Sequence, residues 1–173
     1  VLPHRFERMG PAHSTPRLER FLMLSSEHNI QVAQPSTPAQ YFHLLRRQVL
    51  RRWRKPLIVL TPKGLLRNKA ARSPIEDFVH GRFRRVLGGP RGRRPEPRAG
   101  SDDCQTGRTR PARLLICSGK VFYDLQSARE EFQRNDIAIA RVEQFYPLAD
   151  SALEDACQHC DERTEIFWVQ DEP

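Results

Sequence analysis

The stretch Gly10-Pro11-Ala12-His13-Ser14-Thr15-Pro16 gives one histidine of the chain a chemical context. Thr15 followed by Pro16 is an N-cap and first-turn pair, so this Gly-Pro loop leads into a capped helix start. The imidazole of His13 then lies beside unpaired backbone N–H groups. Such donors, together with the helix macrodipole, favour anions, and an imidazole titrates near neutral pH. His13 is therefore the candidate for holding a carboxylate and moving a proton. His43, between Phe42 and Leu44, reads as a half-buried helix residue, while His4, His28, His80 and His159 carry no comparable signal.

Cys157-Gln158-His159-Cys160 is a C-x-x-C, the spacing of half a zinc site or of a redox pair. A second pair is missing, because Cys104 falls in a linker and Cys117 in a strand, so a metal is not favoured. Ser118-Gly119-Lys120 follows a strand and opens a helix, yet Val121 comes next and the G-x-x-x-x-G-K-[ST] pattern is absent. No G-x-G-x-x-G occurs either.

The elements that must position these groups form two blocks. In the first, Leu18, Phe21 and Leu22 recur at helical spacing, and Ile30-Gln31-Val32-Ala33 alternates as a strand. Thr37-Pro38-Ala39-Gln40 is a capping box for a helix with Phe42, Leu45 and Val49 on one face. Leu57-Ile58-Val59-Leu60 is the short apolar run of a strand buried on both sides of a parallel sheet, and Ser73-Pro74-Ile75-Glu76 is a second capping box. In the second block, Leu114 to Cys117 reads as a strand, Val121 to Phe132 as a helix, Ile137 to Val142 as a strand, Ser151 to Cys157 as a helix and Ile166 to Val169 as a strand. Alternation of this kind predicts an α/β fold with parallel sheets and right-handed crossovers. Ligand-binding loops are then expected at Thr61-Pro62-Lys63 and Ser118-Gly119-Lys120, the carboxyl ends of two strands.

The net charge is +8 over 173 residues, and only four of the 29 basic residues are lysines. Nine arginines between Arg84 and Arg113 face only Glu96, Asp102 and Asp103. Pro and Gly break helix and strand alike between Gly88 and Ala112, which marks a basic linker. No aromatic residue between Leu87 and Pro111 is present to stack bases, so nucleic-acid binding is not favoured. A mean hydropathy of −0.65 and a longest apolar run of Leu57 to Leu60 exclude a membrane-spanning helix. The start Val1-Leu2-Pro3-His4 lacks an initiator Met and a signal-peptide core, and is expected to be an internal start. Four cysteines in a chain of this size suggest a reducing compartment.

Several segments together resemble a known family: Gly10-Pro11-x-His13-Ser14, the run Pro35-Ser36-Thr37-Pro38-Ala39-Gln40 to Arg46-Arg47-Gln48, Arg54-Lys55-Pro56-Leu57-Ile58-Val59, Cys117-Ser118-Gly119-Lys120-Val121, and Trp168-Val169-Gln170-Asp171-Glu172-Pro173. They are similar to the C-terminal region of the thiamine-diphosphate-dependent, decarboxylating first component of the 2-oxoglutarate dehydrogenase complex. The resemblance implies that residues 1–87 end a transketolase-type pyrimidine-binding domain. Residues 88–112 would be the linker, and residues 113–173 would begin a transketolase C-terminal-type α/β domain. It implies thiamine diphosphate and Mg2+ as cofactors, with 2-oxoglutarate as substrate. It further implies a lipoyl-bearing succinyltransferase component as partner, a homodimer, and a bacterial cytoplasm or, less favoured, the mitochondrial matrix. In that family the histidine of the Gly-Pro-Glu-His-Ser loop contacts the 2-oxo acid, and the matching residue here is His13.

Departures accompany the match. The family's His-Gly-Tyr-Glu-Gly-Gln-Gly-Pro-Glu-His becomes His4-Arg5-Phe6-Glu7-Arg8-Met9-Gly10-Pro11-Ala12-His13, replacing two glycines by arginine and the acidic neighbour of the histidine by Ala12. The G-D-G…N motif that holds Mg2+ and the diphosphate in the family does not occur in the sequence, so these 173 residues alone are expected to be inactive. A relative preferring 2-oxoadipate shares most of the motifs and is the alternative reading. From another class, the arginine-rich segment would suit a non-catalytic RNA-binding or assembly module.

Overall fold

A computed structural model of the chain describes residues 2–3, 17–88, 110–148, 150–158 and 160–170. His13 with its loop, the Thr15-Pro16 pair, Cys104, His159 and most of the basic linker lie outside the described residues. The elements in order are β1 (Leu2–Pro3), α1 (Leu18–Met23), β2 (Gln31–Ala33), α2 (Pro38–Leu50), β3 (Leu57–Thr61), α3 (Ile75–Val79) and β4 (Val86–Gly88). They continue with β5 (Arg113–Cys117), α4 (Val121–Glu131), β6 (Ile137–Val142), β7 (Gln144–Tyr146), α5 (Asp150–Cys157) and β8 (Glu165–Trp168).

Among the described residues two four-stranded sheets form, in the orders β1-β3-β2-β7 and β4-β6-β5-β8. The interior pairings are parallel, with Val32 opposite Ile58 and Leu114 opposite Ala138, as the strand and helix alternation requires. The short strands β4 and β7 are not legible in the sequence, and both run antiparallel to their neighbours. Each also joins the sheet of the other block. β4 precedes the linker yet pairs with β6, and β7 follows β6 yet pairs with β2.

The second sheet sorts its residues by the two-residue period of a strand. Leu114, Ala138 and Ala140 face Ala156 of α5, while Cys117 and Ile139 face Val121 of α4. In the Ile137-Ala138-Ile139-Ala140 run the large side chains thus go to one helix and the small ones to the other. In the first sheet Ala33 and Val59 pack against Leu44 of α2. Burying such a leucine completely contributes about 1.5–3 kcal/mol.

Three local expectations change in the fold. The Phe42, Leu45 and Val49 face of α2 is not its buried face; the helix buries Ala39, Gln40, His43 and Leu44 instead. Packing chose the smaller, partly polar stripe because Gln40 and His43 find backbone partners on the neighbouring segment, at Arg82, Arg84 and Asp77. Half of the first capping box forms, Thr37 Oγ1 accepting from the Gln40 N–H at 3.3 Å. The reciprocal half does not, since the Gln40 amide is engaged elsewhere. Ser73 does not cap α3, whose N-cap position is Pro74. Its hydroxyl accepts from the Ala39 N–H at 3.1 Å, so it caps the start of α2 across space.

Gly88 closes β4 at φ +86°, and a Cβ there would lie 2.4 Å from the backbone oxygen of Ile139. Gly88→Ala combines an unfavourable φ with a clash against backbone that cannot swing aside. A loss of about 1–3 kcal/mol is expected, seen as faster hydrogen exchange at the amides of β4 and β6. Unchanged exchange would show that the strand yields freely.

Candidate functional site

The two sheets meet at the carboxyl ends of β2, β5 and β6, and the chain itself passes from one to the other through Glu143, the residue between β6 and β7. Its N–H donates to the Arg85 carbonyl at 2.8 Å and its carbonyl accepts from the Gln34 N–H at 2.9 Å. These bonds turn the side chain inward, where it is completely enclosed. The carboxylate accepts from the Ser36 N–H at 2.8 Å and from the Ser36 hydroxyl. Ser36 Oγ in turn accepts from Arg141 Nη1 at 2.9 Å. Tyr123 of α4 completes the cluster, its hydroxyl donating to the Ser36 carbonyl at 2.7 Å.

Burial pushes the Glu143 carboxyl above its ordinary value, against the pull of Arg141 and of the bonds from Ser36. Burial likewise raises the Tyr123 phenol, which matches its role as a donor. The Arg141 guanidinium lies 3.7 Å from the Phe122 ring centroid, a cation–π contact that compensates part of its own desolvation. This arrangement is a clamp. It joins the segment after β2 to the end of β6 by charge and hydrogen bonds, with the carboxylate shut off from solvent.

A second charged cluster lies on the outer side of β2. Arg47 Nη2 donates to Gln31 Oε1 at 3.2 Å and to Gln144 Oε1 at 2.7 Å, and its guanidinium sits 4.2 Å from the Phe83 ring centroid. A cleft of about 300 Å³ opens beside it, lined by His43, Arg46, Arg47, Leu50, Arg51, Arg82 and Phe83, with no carboxylate in the lining. Burial, then Arg51 and Arg85, lowers the Arg47 guanidinium to about 10. So many cations without a counter-charge suit carboxylate or phosphate oxygens.

The residues singled out in the sequence fall apart in space. His43 is buried, with Nε2 2.8 Å from the Asp77 carbonyl oxygen, so it is more enclosed than its helix position suggests. The Ser118-Gly119 turn ends β5 with Gly119 at φ +61°, where a Cβ would lie 2.7 Å from the Gln34 side-chain nitrogen. That loop packs against the end of β2 at Gln34. Thr61 ends β3 with its hydroxyl donating to the Leu2 carbonyl at 3.3 Å. Among the described residues no group of three or more His, Cys, Asp or Glu converges as a metal site, and no helix is long and apolar enough to cross a membrane. Sequence reasoning missed Glu143, Arg141 and Tyr123. The available signal was Arg141-Val142-Glu143, two charges of opposite sign placed two residues apart where an apolar strand ends.

Comparison with known proteins finds two family matches along the chain. Residues 1–69 match the family model for the transketolase pyrimidine binding domain, and residues 72–173 match the model for the 2-oxoglutarate dehydrogenase C-terminal region. The chain is 46% identical over 173 residues to the 2-oxoglutarate dehydrogenase E1 component of Cupriavidus necator and 46% over 173 residues to that of Azotobacter vinelandii. It is 43% identical over 174 residues to that of Coxiella burnetii. These alignments cover 100%, 100% and 99% of this chain and 17% of each relative.

Proposed function

This chain belongs to the 2-oxoglutarate dehydrogenase C-terminal family, and from that premise we propose that it forms part of a thiamine-diphosphate-dependent 2-oxoglutarate dehydrogenase E1 component. The activity proposed is oxidative decarboxylation of 2-oxoglutarate with transfer of the succinyl group to a lipoyl-bearing partner. The observation that supports it is a likeness running end to end through both blocks, in relatives whose names give that reaction component. A bacterial cytoplasm and a homodimeric assembly belong to the same proposal.

Loss of CO2 from a 2-oxo acid needs an electron sink, which thiamine diphosphate supplies when bound. The G-D-G…N motif that holds Mg2+ and the diphosphate in the family does not occur in these residues, so the proposal assigns both to other parts of the protein. What this chain contributes in the proposal is His13, which holds the substrate carboxylate and exchanges a proton. The clamp between Ser36, Glu143 and Arg141 contributes position, keeping the pyrimidine-binding segment (residues 1–87) against the C-terminal segment (residues 113–173). β4 and β7 are the strands that each segment lends to the other sheet.

Turnover tests the reading. The complete protein, supplied with thiamine diphosphate and Mg2+, is expected to release CO2 from 2-oxoglutarate with a higher kcat/KM than from 2-oxoadipate. The 173-residue piece alone is expected to release none. A complete protein that prefers 2-oxoadipate, or decarboxylates neither acid, overturns the proposal.

A further inference from the structure

The C-x-x-C pair takes no part in the function proposed above. α5 ends at Cys157, and the Cys160 N–H donates to the Cys157 carbonyl at 2.8 Å. A bond from residue i+3 back to residue i marks a turn whose ends lie within about 7 Å. Disulfides span Cα separations of about 4.4–6.8 Å. Burial, then the neighbouring Cys157, raises the Cys160 thiol above its ordinary value. Both cysteines are half-buried against the same apolar patch, formed by Leu114, Ala138, Ala140 and Ala156. The sulfurs are therefore on one side of the turn, close together, and partly open to solvent.

Cys117 provides the contrast within the same sheet. It is fully buried in β5, its Sγ lies 3.6 Å from the Ala140 carbonyl oxygen, and burial pushes its thiol up to about 12. Such a thiol is inert. Two thiols at one turn suit chemistry that needs two sulfurs.

We propose that Cys157 and Cys160 are a reversible dithiol–disulfide site that exchanges with low-molecular-weight disulfides. Because the Cys160 thiol is raised, Cys157, as its thiolate, attacks a sulfur of the small disulfide, whose S–S bond breaks and releases one thiol. The second cysteine, as its thiolate, attacks the mixed disulfide and expels the other thiol. The protein loses two electrons and two protons, and the small disulfide gains both. The new bond ties the end of α5 to the turn that leads into β8, the strand paired with β5 at the edge of the sheet.

The complete protein, incubated with glutathione disulfide and digested with trypsin without reductant, tests this. Both cysteines fall in one peptide, Val142 to Arg163. That peptide is expected to lose the mass of two hydrogen atoms, to lose iodoacetamide labelling at both sulfurs, and to regain it after dithiothreitol. Cys117 stays unlabelled until denaturant is added, which certifies that the protein was folded. Cys160→Ser is expected to stop the exchange halfway, leaving a glutathione adduct on Cys157. An unmodified wild-type peptide, or separate adducts on both cysteines, overturns the site. So does a Cys160→Ser protein that carries no adduct.

Discussion

Glu143→Ala is expected to lower the free energy of opening around β2 and β6 by about 1–3 kcal/mol, the cost of leaving buried donors without their acceptor. Alanine leaves the Ser36 N–H and hydroxyl without the acceptor they now share. It also leaves Arg141 facing the gap, and Arg141 Nε already has no partner among the described residues. Hydrogen exchange at the amides of β2 and β6 in the complete protein measures the effect locally. Protection that survives the substitution would show that the clamp contributes nothing to holding the sheets together.

The same carboxyl carries a pH signature whose sign follows from its raised folded-state value. Between its ordinary 4.5 and that raised value the folded protein binds the proton more tightly than the unfolded chain. The contribution of Glu143 to stability is therefore present below the ordinary value and falls as pH rises through the window. Wild type is expected to lose its advantage over Glu143→Gln as pH increases across that range. The groups facing the carboxyl are Arg141, Ser36, Tyr123 and Cys117, and only Arg141 opposes the shift with a full charge.

His13→Ala in the complete protein is expected to lower kcat/KM for 2-oxoglutarate by about 10²-fold or more, the usual contribution of a positioned acid or base and worth about 2.7 kcal/mol of transition-state stabilisation. Binding of thiamine diphosphate is expected to be preserved, because the role proposed for His13 is toward the substrate. Unchanged kinetics would take His13 out of the mechanism. Restoring glutamate in place of Ala12 is a useful companion, since the family pattern sets a carboxylate beside this histidine.

The core strands were readable from the sequence because their residues carry a local pattern. The run Ile137-Ala138-Ile139-Ala140 alternates large and small, and Leu57 to Leu60 is continuously apolar; both patterns state their surroundings without help from the rest of the chain. The short strands β4 and β7 carry no such pattern. Three residues are too few to set a period, and their conformation comes from the sheet edges they join. The capping boxes show the same limit. A side chain that can bond within its own turn is equally free to bond a neighbouring segment, as Gln40 does at Arg82 and Arg84 and Ser73 does at Ala39.

The α/β class, the order of the main elements and the family were legible in the amino-acid sequence, because periodicity, punctuation and motif are properties of neighbouring residues. Tertiary structure alone decided which face of α2 is buried, where Ser36 meets Glu143 and Arg141, and how the two sheets trade strands. Ser36 and Glu143 are 107 residues apart in sequence. Their pairing depends on the chain crossing between sheets at Glu143, and a contact made by chain crossing leaves no local mark.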